Sequence, residues 1–190
     1  MNELIRDQTF EGINFVEKPI AADFEDCVFK SCFFSKARLS NLSFTNCTFE
    51  NCDLSGANLH KAAFQDCEFI ACKMLGMGFD TCASFLFQIT CDSCMLNFSN
   101  FYKVDLSSSH FVKSQLKEAD FTEANLSGIS LTECDLAGAT FERTNLQKAD
   151  FSTAINYSLI PENNKLTGAL FSKEGLPGLL LSYKIKIVAN

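Results

Sequence analysis

Large apolar residues recur at every fifth position through two long stretches of the chain. The first run has twelve consecutive members from Phe24 to Phe79, and the second has twelve from Leu96 to Phe151. A small residue usually stands two positions before each member, and the other three positions are mostly polar. Five residues advance an α-helix by about 140° past a full turn, and odd spacings alternate faces on a strand. Neither ordinary element keeps this pattern on one face.

A coil that turns a corner every five residues keeps all these apolar side chains inside. Four sides then make a square coil of 20 residues, and successive coils stack at the ~4.8 Å strand spacing. The pattern therefore predicts an all-β fold, a parallel β-helix whose interior holds the fifth-place residues. Phe29, Phe49 and Phe69 are expected to point inward.

The cysteines follow the same 20-residue period. Cys27, Cys47 and Cys67 are 20 apart, and the same holds for the column that begins at Cys32. We interpret these thiols as small core residues, because free cysteine packs as a small hydrophobe and a column spreads ligands along a line. Cys91 and Cys94 form a C-x-x-C pair, for which a redox or metal role is the alternative to core packing.

The search for catalytic chemistry gives little. The only histidines, His60 and His110, flank inward positions and should point outward. A filled square rod offers no cleft in which a nucleophile and a base converge. Phosphate-binding glycine motifs are missing from the sequence. We therefore expect a protein that is not an enzyme and that holds no metal or cofactor.

Interruptions divide the chain. Phe15 and Phe24 are nine residues apart, which predicts a break near 16–23, and the 17-residue step from Phe79 to Leu96 predicts a bulge or loop near 80–95. The expected organisation is a β-helix over 1–157 and a capping and dimerisation segment over 158–190. In that segment Ser172 suits a helix N-cap, Pro177 shortens the helix, and the alternation at 184–188 predicts an edge strand.

Several repeats carry a family resemblance. The segments ADFTE, ANLSG, CDLAG and ADFST, with CKMLG in mid-chain and NYSLIPENNKLTGALFS near the end, resemble the pentapeptide-repeat proteins. The subgroup resembled is bacterial and includes albicidin-resistance, microcin-immunity and Qnr-type proteins. The resemblance implies a right-handed quadrilateral β-helix with a short C-terminal helix and strand cap, and a homodimer. Its expected interface residues are Leu176, Leu179, Leu180, Leu181, Ile185 and Ile187.

The net charge and the hydropathy of the chain limit the kinds of partner that we expect it to bind. The formal net charge is −7, so nucleic acid should be repelled. The N-terminus lacks the apolar run of a signal peptide, and no segment approaches the ~20 apolar residues of a membrane span. We expect a cytoplasmic protein that binds neither nucleic acid nor membrane.

The acidic rod and the resemblance together suggest a function. Related proteins imitate duplex DNA and bind type II topoisomerases, which implies DNA gyrase or topoisomerase IV as the partner, protected from a drug or toxin. A scaffold with an unrelated protein partner is the alternative. A continuous negative face would favour the first hypothesis and a patchwork of both signs the second. The candidate partner-binding residues are Asp23, Glu25, Asp26, Asp120, Glu123 and Glu142; Lys103 and Arg143 interrupt the second group.

Overall fold

The computed structural model describes residues 2–18 and 21–188, and they form a stack of parallel β-coils. The strands are β1 (Glu3–Arg6), β2 (Thr9–Glu11), β3 (Ala22–Glu25), β4 (Val28–Lys30), β5 (Ser43–Thr45), β6 (Thr48–Glu50), β7 (Ala63–Gln65), β8 (Cys67–Ile70), β9 (Ile89–Asp92), β10 (His110–Val112), β11 (Leu131–Thr132), β12 (Asp150–Phe151) and β13 (Leu170–Phe171). One α-helix, α1 (Pro177–Leu180), follows them. Three-residue 3-10 turns lie at Phe79–Thr81, Pro161–Asn163 and Leu181–Tyr183.

Each coil has four sides, which we number in chain order. Side one carries the parallel sheet β1-β3-β5-β7, and side two carries β2-β4-β6-β8-β9-β10-β11. Sides three and four are joined by isolated parallel bridges, such as Phe33 with Asp53 and Asn100 with Asp120. Because β12 pairs with β13, pairing continues past residue 157 to Phe171.

The interior confirms the fifth-place prediction. Phe29, Phe49 and Phe69 are fully buried, and their rings stack at centroid distances of 4.7 and 4.8 Å. A second stack on side four runs from Phe79 to Phe141 through Phe101 and Phe121. Each fully buried Phe contributes roughly 1.5–3 kcal/mol of burial free energy, so the coil interior provides the stability of the rod.

The side chains at the small inward positions also form hydrogen bonds with the backbone. The Cys52 thiol donates to the carbonyl of Phe29 at 3.3 Å and accepts the amide of Cys32 at 3.3 Å. Ser114 makes the same pair of contacts, to the Cys91 carbonyl and the Cys94 amide. All ten cysteines are free, and nine of them, including Cys91 and Cys94, are buried. The core-packing interpretation of these thiols is therefore confirmed.

Both interruptions alter the register. On side one Ile5 pairs with Phe24, a step of 19 residues, so the first coil is one residue short. Pro19 and Ile20, near the expected break, lie outside the described residues. On side two Phe69 pairs with Cys91, a step of 22, so two extra residues enter before β9.

The extra residues form a short loop on side one. The Ala83 N–H donates a hydrogen bond to the Ala62 carbonyl, and the Gln88 N–H donates one to the Phe64 carbonyl. Residues 84–87 form the loop between these two hydrogen bonds. Leu86 turns the loop with a φ of 53°, and Phe87 packs edge-on against Phe79 at 6.1 Å. The loop is thus pinned at both ends while its tip projects outward.

The C-terminal segment packs across the last coil. Ser172 Oγ accepts the Gly175 amide at 3.1 Å, one turn before α1, and the Leu159 amide bonds to the Gly178 carbonyl at 3.2 Å. The predicted short helix is confirmed. The strand predicted at 184–188 is not present: Lys184 lies in a turn and Ile185–Val188 has no regular structure. A strand needs a neighbour for its hydrogen bonds, and none of the described strands pairs with this segment.

Candidate partner-binding surface

The filled interior leaves the outer surface for partners. A depression of about 460 Å³ lies open between the last coil and α1, beside Tyr157 and Gly178. Tyr157 Oη is buried there without a hydrogen bond of normal geometry among described residues, and burial raises the pKa of Tyr157.

Acidic side chains concentrate on sides one and two of the first five coils. These sides span 3–12, 22–31, 43–51, 63–71 and 83–93, and they carry ten carboxylates against two basic side chains, a net charge of −8. We call this surface the acidic edge. Its carboxylates are Glu3, Asp7, Glu11, Asp23, Glu25, Asp26, Glu50, Asp66, Glu68 and Asp92, and its bases are Arg6 and Lys30.

The opposite sides of the same coils have the reverse balance. Over 13–18, 32–42, 52–62 and 72–82 there are five bases and three carboxylates, a net charge of +2. The bases are Lys18, Lys36, Arg38, Lys61 and Lys73, and the carboxylates are Glu17, Asp53 and Asp80. The charge of the amino-terminal half is therefore separated across the rod.

Few ion pairs reduce the charge of the acidic edge. Arg6 contacts Glu25 at 2.7 Å and Lys30 contacts Glu50 at 3.2 Å, and the described residues provide no ion pair to the other eight carboxylates. Neutral amides instead line the corner between sides one and two: Asn46 donates to Asp26, and Gln88 donates to Asp66 at 2.9 Å. The edge therefore keeps nearly all of its negative charge.

The first predicted acidic group lies within this edge. Asp23 Oδ1 accepts the Ser43 amide at 2.8 Å and the Asn2 side chain at 3.1 Å. Glu25 and Asp26 project from the same coil and have the contacts given above. The binding role of these three residues stays a prediction.

The second predicted group lies elsewhere, on side four of the carboxyl-terminal half. Glu123 lies between Arg143 at 2.7 Å and Lys103 at 3.4 Å, and Arg143 also reaches Glu142 at 3.6 Å. The hydrogen bond from Arg143, helped by Lys103, lowers the pKa of Glu123. Asp120 accepts the Thr122 amide at 2.8 Å. This group is a patchwork of both signs, unlike the acidic edge.

Sequence reasoning along one side at a time missed most of the edge. The carboxylates of the edge that were not among the predicted binding residues include Glu50, Asp66, Glu68 and Asp92, each from a different repeat. The signal was present in the period, because assigning each charge to one of four sides groups them together. A count over two neighbouring sides would have found the edge.

An apolar loop tip adjoins the acidic edge. Phe85 and Leu86 are 73% and 65% exposed, although Phe87 beside them is buried. Gln65 Nε2 donates to the Phe85 carbonyl at 3.4 Å, which places the tip on side one next to Asp66. Carboxylates and exposed apolar groups are thus presented together at mid-rod.

The expected dimer residues form a second apolar surface. Leu176, Leu181, Ile185 and Ile187 are 44–62% exposed. Leu179 packs against the core and so also holds α1 in place, and Leu180 is half-buried.

Within residues 2–18 and 21–188 no helix has the length and apolar character needed to span a bilayer. The same residues contain no group of three or more side chains suited to holding a metal ion.

Models of known protein families match the repeat region. The family model described as pentapeptide repeat region matches residues 42–121, and the model described as pentapeptide repeats (8 copies) matches 119–155. A third model, the SV2A/B/C luminal domain, matches residues 1–74. No curated protein sequence matches the chain.

A solved structure shares the fold of this chain, and a second solved structure aligns with it more weakly. A trypsin-treated variant of QnrB1, described as a plasmid-mediated fluoroquinolone resistance protein, aligns over 100% of both chains with a TM-score of 0.63 at 18% identity. HetL, a pentapeptide repeat protein involved in heterocyst differentiation regulation in the cyanobacterium Nostoc sp. strain PCC 7120, aligns over 90% of this chain and 86% of its own, with a TM-score of 0.40 at 17% identity. By its repeats, its coil and these family models, the chain is a pentapeptide-repeat protein that resembles the Qnr-type members.

Proposed function

We propose that this protein is a non-enzymatic binding protein of the cytoplasm that presents its acidic edge, as a DNA-like surface, to DNA gyrase or topoisomerase IV. Binding would protect that enzyme from a drug or toxin. The observation that carries the proposal is the acidic edge, because a one-sided carboxylate surface is the form that a duplex-binding groove would accept.

Charge density supports the comparison with DNA. Five coils span about 19–24 Å at the ~4.8 Å strand spacing, so a net charge of −8 gives about one negative charge per 3 Å. Duplex DNA carries about one per 1.7 Å. The rod as a whole, with −7 over about 38 Å, gives about one per 5 Å. The edge alone therefore has roughly half the charge density of a duplex, nearly twice that of the rod as a whole.

The loop tip and the relative support a protein partner. Phe85 and Leu86 would be desolvated against a protein surface beside the electrostatic contact. QnrB1 is described as a fluoroquinolone resistance protein, which favours gyrase protection as the purpose of binding.

Dimerisation completes the proposal. The exposed Leu176, Leu181, Ile185 and Ile187 would be buried between two copies related by a two-fold axis. Such a pairing would also supply a neighbour for the 184–188 segment. Two acidic edges would then lie on one longer rod.

The test is gyrase supercoiling measured with increasing protein, with and without a fluoroquinolone. An edge variant combines Asp66→Lys and Glu68→Lys, and a control combines Glu118→Lys and Glu133→Lys, the same change of charge elsewhere. Lysine already stands at coil corners, as at Lys36 and Lys61, so Asp66→Lys suits the backbone. We expect wild type and control to alter supercoiling or drug sensitivity and the edge variant to lose the effect. No effect of wild type at micromolar concentration contradicts the proposal.

A scaffold with another protein partner is the second candidate. The ion-pair ladder of Lys103, Glu123 and Arg143 favours it, because paired charges of both signs give specificity rather than likeness to DNA. Reproducible recovery of one partner other than a topoisomerase, lost in a Lys103→Glu, Arg143→Glu variant, would support it.

A further inference from the structure

The amino-terminal end of the stack is uncovered in the described part of the chain. Ile5, Phe10 and Ile13 occupy inward positions that are buried through the middle of the rod, yet here they are only partly buried. Phe10 stacks on Phe29 at 5.1 Å with one ring face, and no described residue stacks on the other. The opposite end of the core, by contrast, lies under α1.

The backbone of the first coil is open as well. β1 and β2 are the terminal strands of their sheets. Asp7 and Gly12 donate their amides to the second coil, at 3.2 Å to Glu25 and 2.9 Å to Lys30. Neighbouring residues in a parallel ladder face opposite edges, so the amides of Arg6 and Glu11 face away from the stack. An open edge of this kind accepts an added strand.

Charge selects the occupant of this end. Glu3, Asp7 and Glu11 project from the first coil, and its Arg6 is already paired with Glu25. A second copy meeting this end head-on would bring like charges together, which disfavours it. A segment with basic outward side chains would be attracted.

We propose that the open first coil binds an extended basic segment of another protein by strand addition. Inward apolar side chains of that segment cover Ile5 and Phe10, and its lysines or arginines pair with Glu3 and Glu11. The site shares Glu3, Asp7 and Glu11 with the acidic edge, but its main-chain pairing and its apolar cover do not depend on the proposed topoisomerase partner.

The test uses the full chain and two short fluorescent peptides, one alternating valine with lysine and one alternating valine with glutamate. Binding is followed by anisotropy, and amide hydrogen exchange reports where the peptide lies. One variant combines Glu3→Lys and Glu11→Lys. Its control is Asp92→Lys, at the equivalent outward place on side two four coils away. Glu11→Pro removes one outward amide, with the melting temperature checked.

We expect the lysine peptide to bind, to slow exchange at the amides of Arg6 and Glu11, and to bind the double variant about tenfold more weakly. The control should change affinity less than twofold, and the glutamate peptide should not bind. If Glu11→Pro unfolds the chain, the double variant decides alone. Absence of binding, equal weakening by Asp92→Lys, or self-association in sedimentation that Glu3→Lys, Glu11→Lys or Glu11→Pro alters overturns the proposal.

Discussion

The two halves of the rod share one coil but differ in core and surface. Before the loop at 84–87, eight of the twelve fifth-place residues are phenylalanine and six of the twelve small positions are cysteine; after it, seven of the twelve fifth-place residues are leucine and only two of the small positions are cysteine. The first half separates its charges across the rod, and the second half pairs them within ladders such as Lys103, Glu123 and Arg143. The same backbone therefore supports either a one-sided charged surface or one whose charges are paired, depending only on outward residues.

The largest effect is expected from a substitution that tests whether folding of the amino-terminal half depends on its stacked phenylalanine rings. Phe49→Asp places a charge between Phe29 and Phe69, where no partner exists, and should abolish cooperative folding. Thr48→Asp, an outward neighbour, should leave the melting temperature nearly unchanged. Circular dichroism melts compare them, and a folded Phe49→Asp protein would contradict the inward assignment.

The end cap gives a smaller effect. A Cβ at Gly178 would lie 2.2 Å from the Tyr157 carbonyl oxygen, so Gly178→Ala should displace α1 and cost about 1–3 kcal/mol. Limited proteolysis should then cut within 172–188 faster, while the coil stays folded. Gly78→Ala, whose Cβ would lie no closer than 3.4 Å to a neighbour, is the control for loss of a glycine. Equal proteolysis of the two variants would show that the glycine is not needed for packing.

The cysteine columns provide a third test. It asks whether these thiols stabilise the core by hydrogen bonding to the backbone or only by filling space. The Cys72 thiol donates to the Phe49 carbonyl at 3.2 Å and accepts the Cys52 amide at 3.4 Å. Cys72→Ser keeps both contacts, as Ser114 does, and Cys72→Ala leaves two backbone groups unpaired at about 1–3 kcal/mol. Urea denaturation measures the difference, and an alanine variant as stable as the serine variant would argue for filling alone.

The smallest effect concerns the neutralised half. The pKa of Glu123 is lowered in the folded protein, so its contribution is present above the ordinary value of 4.5 and is lost as pH falls through the lowered value. The melting temperatures of wild type and Glu123→Gln should differ slightly at neutral pH and converge at acidic pH. Because the pair is exposed, added salt should also reduce the difference. A difference that grows on acidification would contradict this sign.

The sequence predicted the coil and its interior because a five-residue period has one geometric solution. It also located the loop, since the phase shift between Phe79 and Leu96 has to be absorbed there. It did not predict the exposed Phe85, because periodicity ends within the loop. The packing of Gly178 on Tyr157 is a tertiary contact, which a local sequence pattern does not predict. The prediction of a strand at 184–188 was wrong because the segment has no strand to pair with. The acidic edge was accessible in principle, but required summing charge over two sides.

The most direct measurement is the salt dependence of binding to purified gyrase. The affinity of wild type, of the Asp66→Lys, Glu68→Lys edge variant, and of the Glu118→Lys, Glu133→Lys control is determined over a range of salt concentrations. If the edge imitates DNA, wild type and control should show the same steep loss of affinity with salt, and the edge variant a weaker affinity with a shallower slope. Equal affinities and slopes for all three proteins would contradict the account.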